Sequence, residues 1–221
     1  YSPTSQTNLS KFSIKNGKPH KFSKSLYCAN IDEMSEFSDR IREEWALLNA
    51  VRQRNLRQPD DITVYRNIQY REPCDYDMVN GWNLLDLYVK TDYKGKLPII
   101  MSFHGGSYVY GSKEMYQYYL MSLAQRGFAV VNFNYRLAPE FKFPAAFDDA
   151  NCVIKWVKEN ADKYNLDFKN FFLVGDSVGA HYTALYSMIC TNPKFSDLMG
   201  IKSYDNFVPR AVGLNCGVYK I

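Results

Sequence analysis

Two uninterrupted apolar runs, Leu97–Phe103 (LPIIMSF) and Phe128–Tyr135 (FAVVNFNY), constrain the fold of this 221-residue chain more than any other feature. Each is too short for a helix of ordinary length and offers no polar side to water, so each reads as a strand buried on both faces. Strands of that kind need helices above and below them. The stretch between them, Glu114–Arg126, has a helical pattern and closes with Gly127, a C-terminal signal. Ile62–Tyr70 and Leu84–Lys90 read as two further strands, with Pro73 and Asn80-Gly81 marking turns between them. Ala145–Tyr164 is helical with Cys152, Trp156 and Val157 on one side, Asn170–Val174 is a short buried strand, Gly179–Cys190 a helix and Arg210–Val218 a last strand. Strands alternating with helices predict an α/β fold, a mostly parallel sheet covered on both faces.

With 46% hydrophobic and 23% charged residues the chain can bury one sizeable core and is no disordered or collagen-like polymer. A net charge of +4 with interleaved signs lacks the clustered basic face that nucleic acid requires. No apolar run reaches the length of a membrane span. Five scattered cysteines (Cys28, Cys74, Cys152, Cys190, Cys216) without a C-x-x-C pair point to reduced thiols and a cytoplasmic protein. Three histidines (His20, His104, His181), none at H-x-x-x-H spacing, argue against a metal site, and no cofactor motif is found. The chain starts at Tyr1 with no apolar signal-peptide core in its first residues, although a leader removed before that point would escape notice. Residues 1–30 read as a polar arm. Met34, Phe37, Ile41, Trp45, Leu48 and Val51 recur at steps of three and four as the apolar face of a helix that Pro59 stops. Arg52, Arg54 and Arg57 read as its solvated end rather than as a nucleic-acid contact. The organisation expected is an N-terminal segment, 1–58, and a core, 59–221.

The chemistry concentrates in Gly175-Asp176-Ser177-Val178-Gly179, a G-x-S-x-G directly after the strand FFLV and before a helix. A strand turning sharply into a helix forces the middle residue into a strained backbone and lifts its side chain out at the sheet's edge, so Ser177 is expected to stand as a nucleophile. His104-Gly105-Gly106-Ser107 follows the other apolar strand, 73 positions earlier. Backbone amides of a side-chain-free turn can approach a carbonyl oxygen that becomes an oxyanion. Gly105 and Gly106, with Val178 from the elbow, are the expected donors. His104 is expected to bond backbone and hold the glycines rather than to act as a base.

These residues resemble the hormone-sensitive-lipase-like branch of the α/β-hydrolase superfamily, the esterases with an H-G-G-G motif. HGGSYVYGS is similar to the family's oxyanion loop, NYRLAPEFKFPAAFDDA (134–150) to its Y-R-L-A-P-E stretch, and NFFLVGDSVGAH to its G-D-S-A-G-G elbow, in family order from about Ile62 to Ile221. The sequence departs at Ser107, where the family has a third glycine, and at Val178 and Ala180, where it often has Ala and Gly. The resemblance implies an α/β-hydrolase fold, a serine carboxylic-ester hydrolase acting on small or short-acyl esters, a cap contributed by the N-terminal helix, and pairing of Arg136 with Asp148 or Asp149. Ser107, Tyr108 and Asp176 are candidates for lining the substrate pocket. Self-association into a homo-oligomer stays open.

In this family the acid and histidine follow the serine, and here the one histidine after Ser177 is His181, one turn into the elbow helix and directed along its flank. The base and acid are therefore expected beyond Ile221, with the sheet truncated after the strand that follows the elbow and the chain itself an inactive fragment. A natural relic and completion by another polypeptide are the alternatives. A catalytically inactive ligand-binding protein, like a plant hormone receptor of the same branch, is the competing reading.

Overall fold

A computed structural model describes residues 31–219, with side chains from Glu36 onward. The expected N-terminal arm, Cys28, His20 and the Met34 side chain lie outside the described residues. Among the described residues a six-stranded sheet runs in the order β1-β2-β4-β3-β5-β6, formed by β1 (Ile62–Gln69), β2 (Leu84–Lys90), β3 (Leu97–Phe103), β4 (Ala129–Phe133), β5 (Leu166–Asp176) and β6 (Val212–Asn215). β1 and β2, joined through the single-turn helix α2 (Asp77–Asn80), enter antiparallel, and β4, β3, β5 and β6 are mutually parallel. This is the α/β sheet that the apolar runs predict, with an antiparallel edge.

Alternation along the strands divides the core into two layers. Leu97, Ile99, Met101 and Phe103 of β3, with Ala129, Val131 and Phe133 of β4, face α4 (Ala145–Asn160) and α5 (Val178–Thr191), whose Phe147, Val153, Ile154, Val157, Tyr186 and Ile189 complete that layer. Ile100 and Val130 point the other way, into Leu120, Met121 and Ala124 of α3 (Lys113–Ala124). The chain therefore leaves β3 toward one face and leaves β5 toward the other. Adjacent parallel strands whose exits diverge open a crevice at their C-terminal ends, where ligands of open α/β sheets bind.

α1 (Ile31–Gln53) forms as its period predicts, but among the described residues only Ile41 and Trp45 of the expected apolar face turn inward. Phe37, Leu48 and Val51 of the expected packing face are exposed, as is Leu47 at 72%. The face laid on the core carries Arg42, Trp45, Asn49 and Gln53. Arg42 donates to both carboxylate oxygens of Glu140 (2.8 and 2.7 Å) and to the Val109 and Ala138 carbonyls, Asn49 donates to Tyr110 Oη and Gln53 to the Glu114 carbonyl. Trp45 meets Tyr110 edge-on. Polar anchoring has replaced hydrophobic docking. Arg57, beyond the helix end, turns back onto the Arg54 and Leu56 carbonyls.

Candidate active site

Ser177 sits where β5 turns into α5, with φ +54° and ψ −119°. A non-glycine residue rarely holds a positive φ, and the cost of such a conformation is on the order of 1–3 kcal/mol. The surroundings enforce it. Gly175 and Gly179 are so close that a Cβ on Gly175 would overlap the Gly179 carbonyl, and a Cβ on Gly179 would overlap the Phe103 carbonyl. The Ser177 amide donates to the Asn215 carbonyl of β6 (2.8 Å), and Thr183 Oγ1 donates to the Gly179 carbonyl (2.8 Å). The Ala180 and His181 amides of α5 donate to the Ser177 carbonyl (3.1 and 3.2 Å), and the positive end of the helix, with the Val178 amide, lies beside Ser177.

The second half of the crevice follows β3. Phe103 is in register with Gly175, so His104-Gly105 emerges beside Asp176-Ser177. His104 behaves as expected. Its Nδ1–H donates to the Gly105 carbonyl (2.8 Å), its ring stacks on Tyr135 at 4.1 Å, and its own carbonyl accepts from Tyr135 Oη (2.6 Å). It is 1% exposed, and Nε2 has no partner among the described residues. Burial pushes this imidazole down to about 4, outweighing the raising effect of its bond to Gly105. It is a neutral strut.

Gly106 holds φ +133°, and a Cβ there would overlap the Tyr110 carbonyl. Ser107 and Tyr108 follow with φ +51° and +68°. Two successive left-handed residues with side chains need support. Tyr108 finds it in a hydrogen bond between its hydroxyl and His181 Nδ1 (3.0 Å), an edge-on contact with Tyr182, and its carbonyl, which accepts from the Ala138 amide (3.0 Å). His181 is thus bonded to the loop that follows β3. Asp176, a candidate for lining the pocket, accepts from Tyr116 Oη of α3 (2.7 Å).

Behind the crevice Asp149, fully buried, accepts from Arg136 Nε (3.0 Å), from the Arg136 amide (2.8 Å) and from Arg71 Nε (2.8 Å). Of the two expected partners of Arg136 it is Asp149, while Asp148 is exposed. Arg71 also grips Asp77 through two nitrogens. Burial alone would raise the Asp77 carboxyl. Its bonds from Arg71 and the Cys74 amide outweigh that and hold it below its ordinary value. This network, which sequence reading foresaw only at Arg136, ties the entry strands to the segment after β4. Cys74, Cys152, Cys190 and Cys216 are free thiols. Among the described residues no group of His, Cys, Asp and Glu could hold a metal ion, and no helix is long and apolar enough to cross a membrane.

A strained serine elbow beside a glycine loop at the parallel end of a mixed sheet defines an α/β-hydrolase fold. Residues 85–211, more than half of the chain, match the family model described as BD-FAE, and the chain belongs to that family. It is 33% identical over 115 residues to esterase LipC of Mycobacterium tuberculosis, covering 51% of this chain and 28% of that one. It is 35% identical over 117 residues to tuliposide A-converting enzyme 2 of Tulipa gesneriana (48% and 29%). The crystal structure of esterase B from Lactobacillus rhamnosis superposes with a TM-score of 0.77 at 24% identity, covering 86% of this chain and 59% of that one, a likeness of fold. The chain spans from 26% to 41% of the length of the curated relatives it matches.

Proposed function

We propose that the chain carries the nucleophile and oxyanion half of a serine carboxylic-ester hydrolase acting on small or short-acyl esters. The observation that supports this reading best is Ser177 held at φ +54° in register with the Gly105–Ser107 loop. Ser177 Oγ attacks the ester carbonyl, a histidine takes its proton, and the carbonyl oxygen becomes an oxyanion facing the Gly105, Gly106 and Val178 amides. Collapse expels the alcohol, which takes the proton back, and leaves an acyl-Ser177 that water hydrolyses. Each preorganised donor is worth on the order of 10²–10³ in rate.

Neither described histidine serves as that base, because His104 is buried against Tyr135 and His181 is bonded to Tyr108. The proposal therefore assigns base and acid to residues outside these 221. α1, anchored through Arg42 to the residues flanking the oxyanion loop, is the cap element in this reading. The free thiols fit a reducing, cytoplasmic setting, and a small ester is the expected partner.

The engagement of His181 by Tyr108 also favours a second reading, a ligand-binding protein without turnover. A fluorophosphonate probe separates the two. Phosphonylation at Ser177 in the full-length protein, lost in Ser177→Ala, is expected of the hydrolase. An unmodified intact mass after prolonged treatment would sink it in favour of the binder.

A further inference from the structure

Gly179 packs the elbow helix on the Phe103 and His104 carbonyls, but no motif side chain spans from Asp176 to Gly105 above the end of the ladder between β3 and β5. One side chain reaches both. Tyr116, on the first turn of α3, donates its hydroxyl to Asp176 Oδ2 at 2.7 Å. Asp176 precedes Ser177, and its backbone carbonyl lies against Gly105: a Cβ on Gly105 would meet Tyr116 Oη at 2.7 Å and the Asp176 carbonyl at 3.0 Å. A side chain at Gly105 would have to displace the hydroxyl and press on the elbow carbonyl, which occupy that space together.

We propose that Tyr116 is a positioning residue for the reaction: its hydroxyl, wedged between the Asp176 carboxylate and the Gly105 backbone, sets the distance between Ser177 and the oxyanion donors. The proposal rests on the hydrolase reading above. Tyr116 is well suited to the part. Its ring is supported by the layer of Ile100, Leu120 and Val130, and it belongs to a helix that neither strand controls. Burial and the neighbouring carboxylate raise its hydroxyl well above the ordinary tyrosine value, while the Gly105 amide and Arg52 of α1 pull the other way, so it stays a donor. The contact links three segments, the oxyanion loop, the elbow and α3, at a single oxygen.

Removing that oxygen leaves every proposed reacting group in place and loosens only their spacing. Misplacement by about 1 Å can cost up to on the order of 10²-fold in rate. In the full-length protein, Tyr116→Phe and Asp176→Ala are each expected to lower kcat about tenfold with KM changed less than about twofold, and the double variant to be no slower than either single one, as for residues of one unit. Thermal unfolding midpoints are read alongside. A double variant about 100-fold slower, the product of the singles, would overturn the clamp. So would a Tyr116→Phe protein with unchanged kcat, or one whose kcat loss follows only its loss of folded fraction. The amide resonance of Gly105 reports the clamp without turnover and is expected to move in Tyr116→Phe. An unmoved resonance would overturn the proposal even in a protein that hydrolyses esters. A wild-type protein that hydrolyses none would refute the hydrolase reading separately.

Discussion

Acid should unfold this protein from inside the oxyanion loop. His104 is 1% exposed, donates its one proton to the Gly105 carbonyl and turns a bare Nε2 into packed surroundings. A second proton would place an unpaired cation there, and the folded protein resists it until about pH 4, whereas an unfolded chain takes it up near 6.5. The unfolded state thus binds more protons throughout that interval. Stability from this group is present in full above about pH 6.5 and is lost as pH falls through the folded value near 4. At 1.36 kcal/mol per unit, an interval of about 2.5 units is worth about 3 kcal/mol. Urea unfolding at fixed ionic strength from pH 7.5 to 4.5 should show most of that decline before the carboxylates, with ordinary values near 4, contribute. Nitrogen shifts of the His104 ring should titrate near 4. An imidazole that titrates near 6.5 in the folded protein, or a stability profile flat from pH 7 to 5, would refute the reasoning. A slope undiminished in His104→Gln would do the same.

Asp149→Ala should destabilise by about 3–5 kcal/mol, since it leaves Arg136 without its carboxylate and Arg71 with only Asp77 behind the crevice. Asp149→Asn, which keeps one acceptor, should lose less, and chemical denaturation of the pair distinguishes the two. Gly106→Ala must displace the Tyr110 carbonyl from a positive-φ turn. Its rate of phosphonylation at Ser177 is expected to fall by at least about 10² through lost oxyanion donation, with little change in helix content by circular dichroism. Equal labelling rates would remove the loop from the mechanism.

What could be read from the residues follows from which forces act locally. β3 and β4 were legible because burial on both faces makes the runs almost wholly apolar, with Ser102 and Asn132 their only polar residues. β5 begins at Leu166, four residues before the expected Asn170, since Asp167 and Lys169 hide a strand start that pairs with Leu97 and Pro98. β6 is only Val212–Asn215, shorter than the apolar texture of 210–218 suggests. A missed helix, α6 (Pro193–Met199), did carry a signal: Pro193 at its first turn and Asn192 accepting from the Phe195 amide. The period of α1 was correct and its face only in part, Ile41 and Trp45 turning inward, because Arg42, Asn49 and Gln53 anchor by hydrogen bonds that a hydrophobic pattern does not register. In the crevice, both motifs announce themselves through their glycines. Tyr116 does not, since it acts on a residue 60 positions away and nothing in KEMYQYY sets it apart.

The pairing of Ile99–Phe103 with Phe171–Gly175 has a further consequence for how such a chain can change. Sliding one strand past the other by a single residue would move Ser177 about 3.3 Å along the sheet and turn every side chain to the opposite layer. The alignment of the proposed nucleophile and oxyanion donors is therefore quantised, with no intermediate setting that keeps the core intact. Length changes in the connections, such as 92–96 or 161–165, leave that setting untouched, as does the irregularity at Phe168–Asn170, where the register shifts before Ile99 pairs with Phe171, while one residue added between Phe171 and Gly175 would displace it. Any gradual tuning of the reaction must come from the side chains above the ladder, never from the ladder itself.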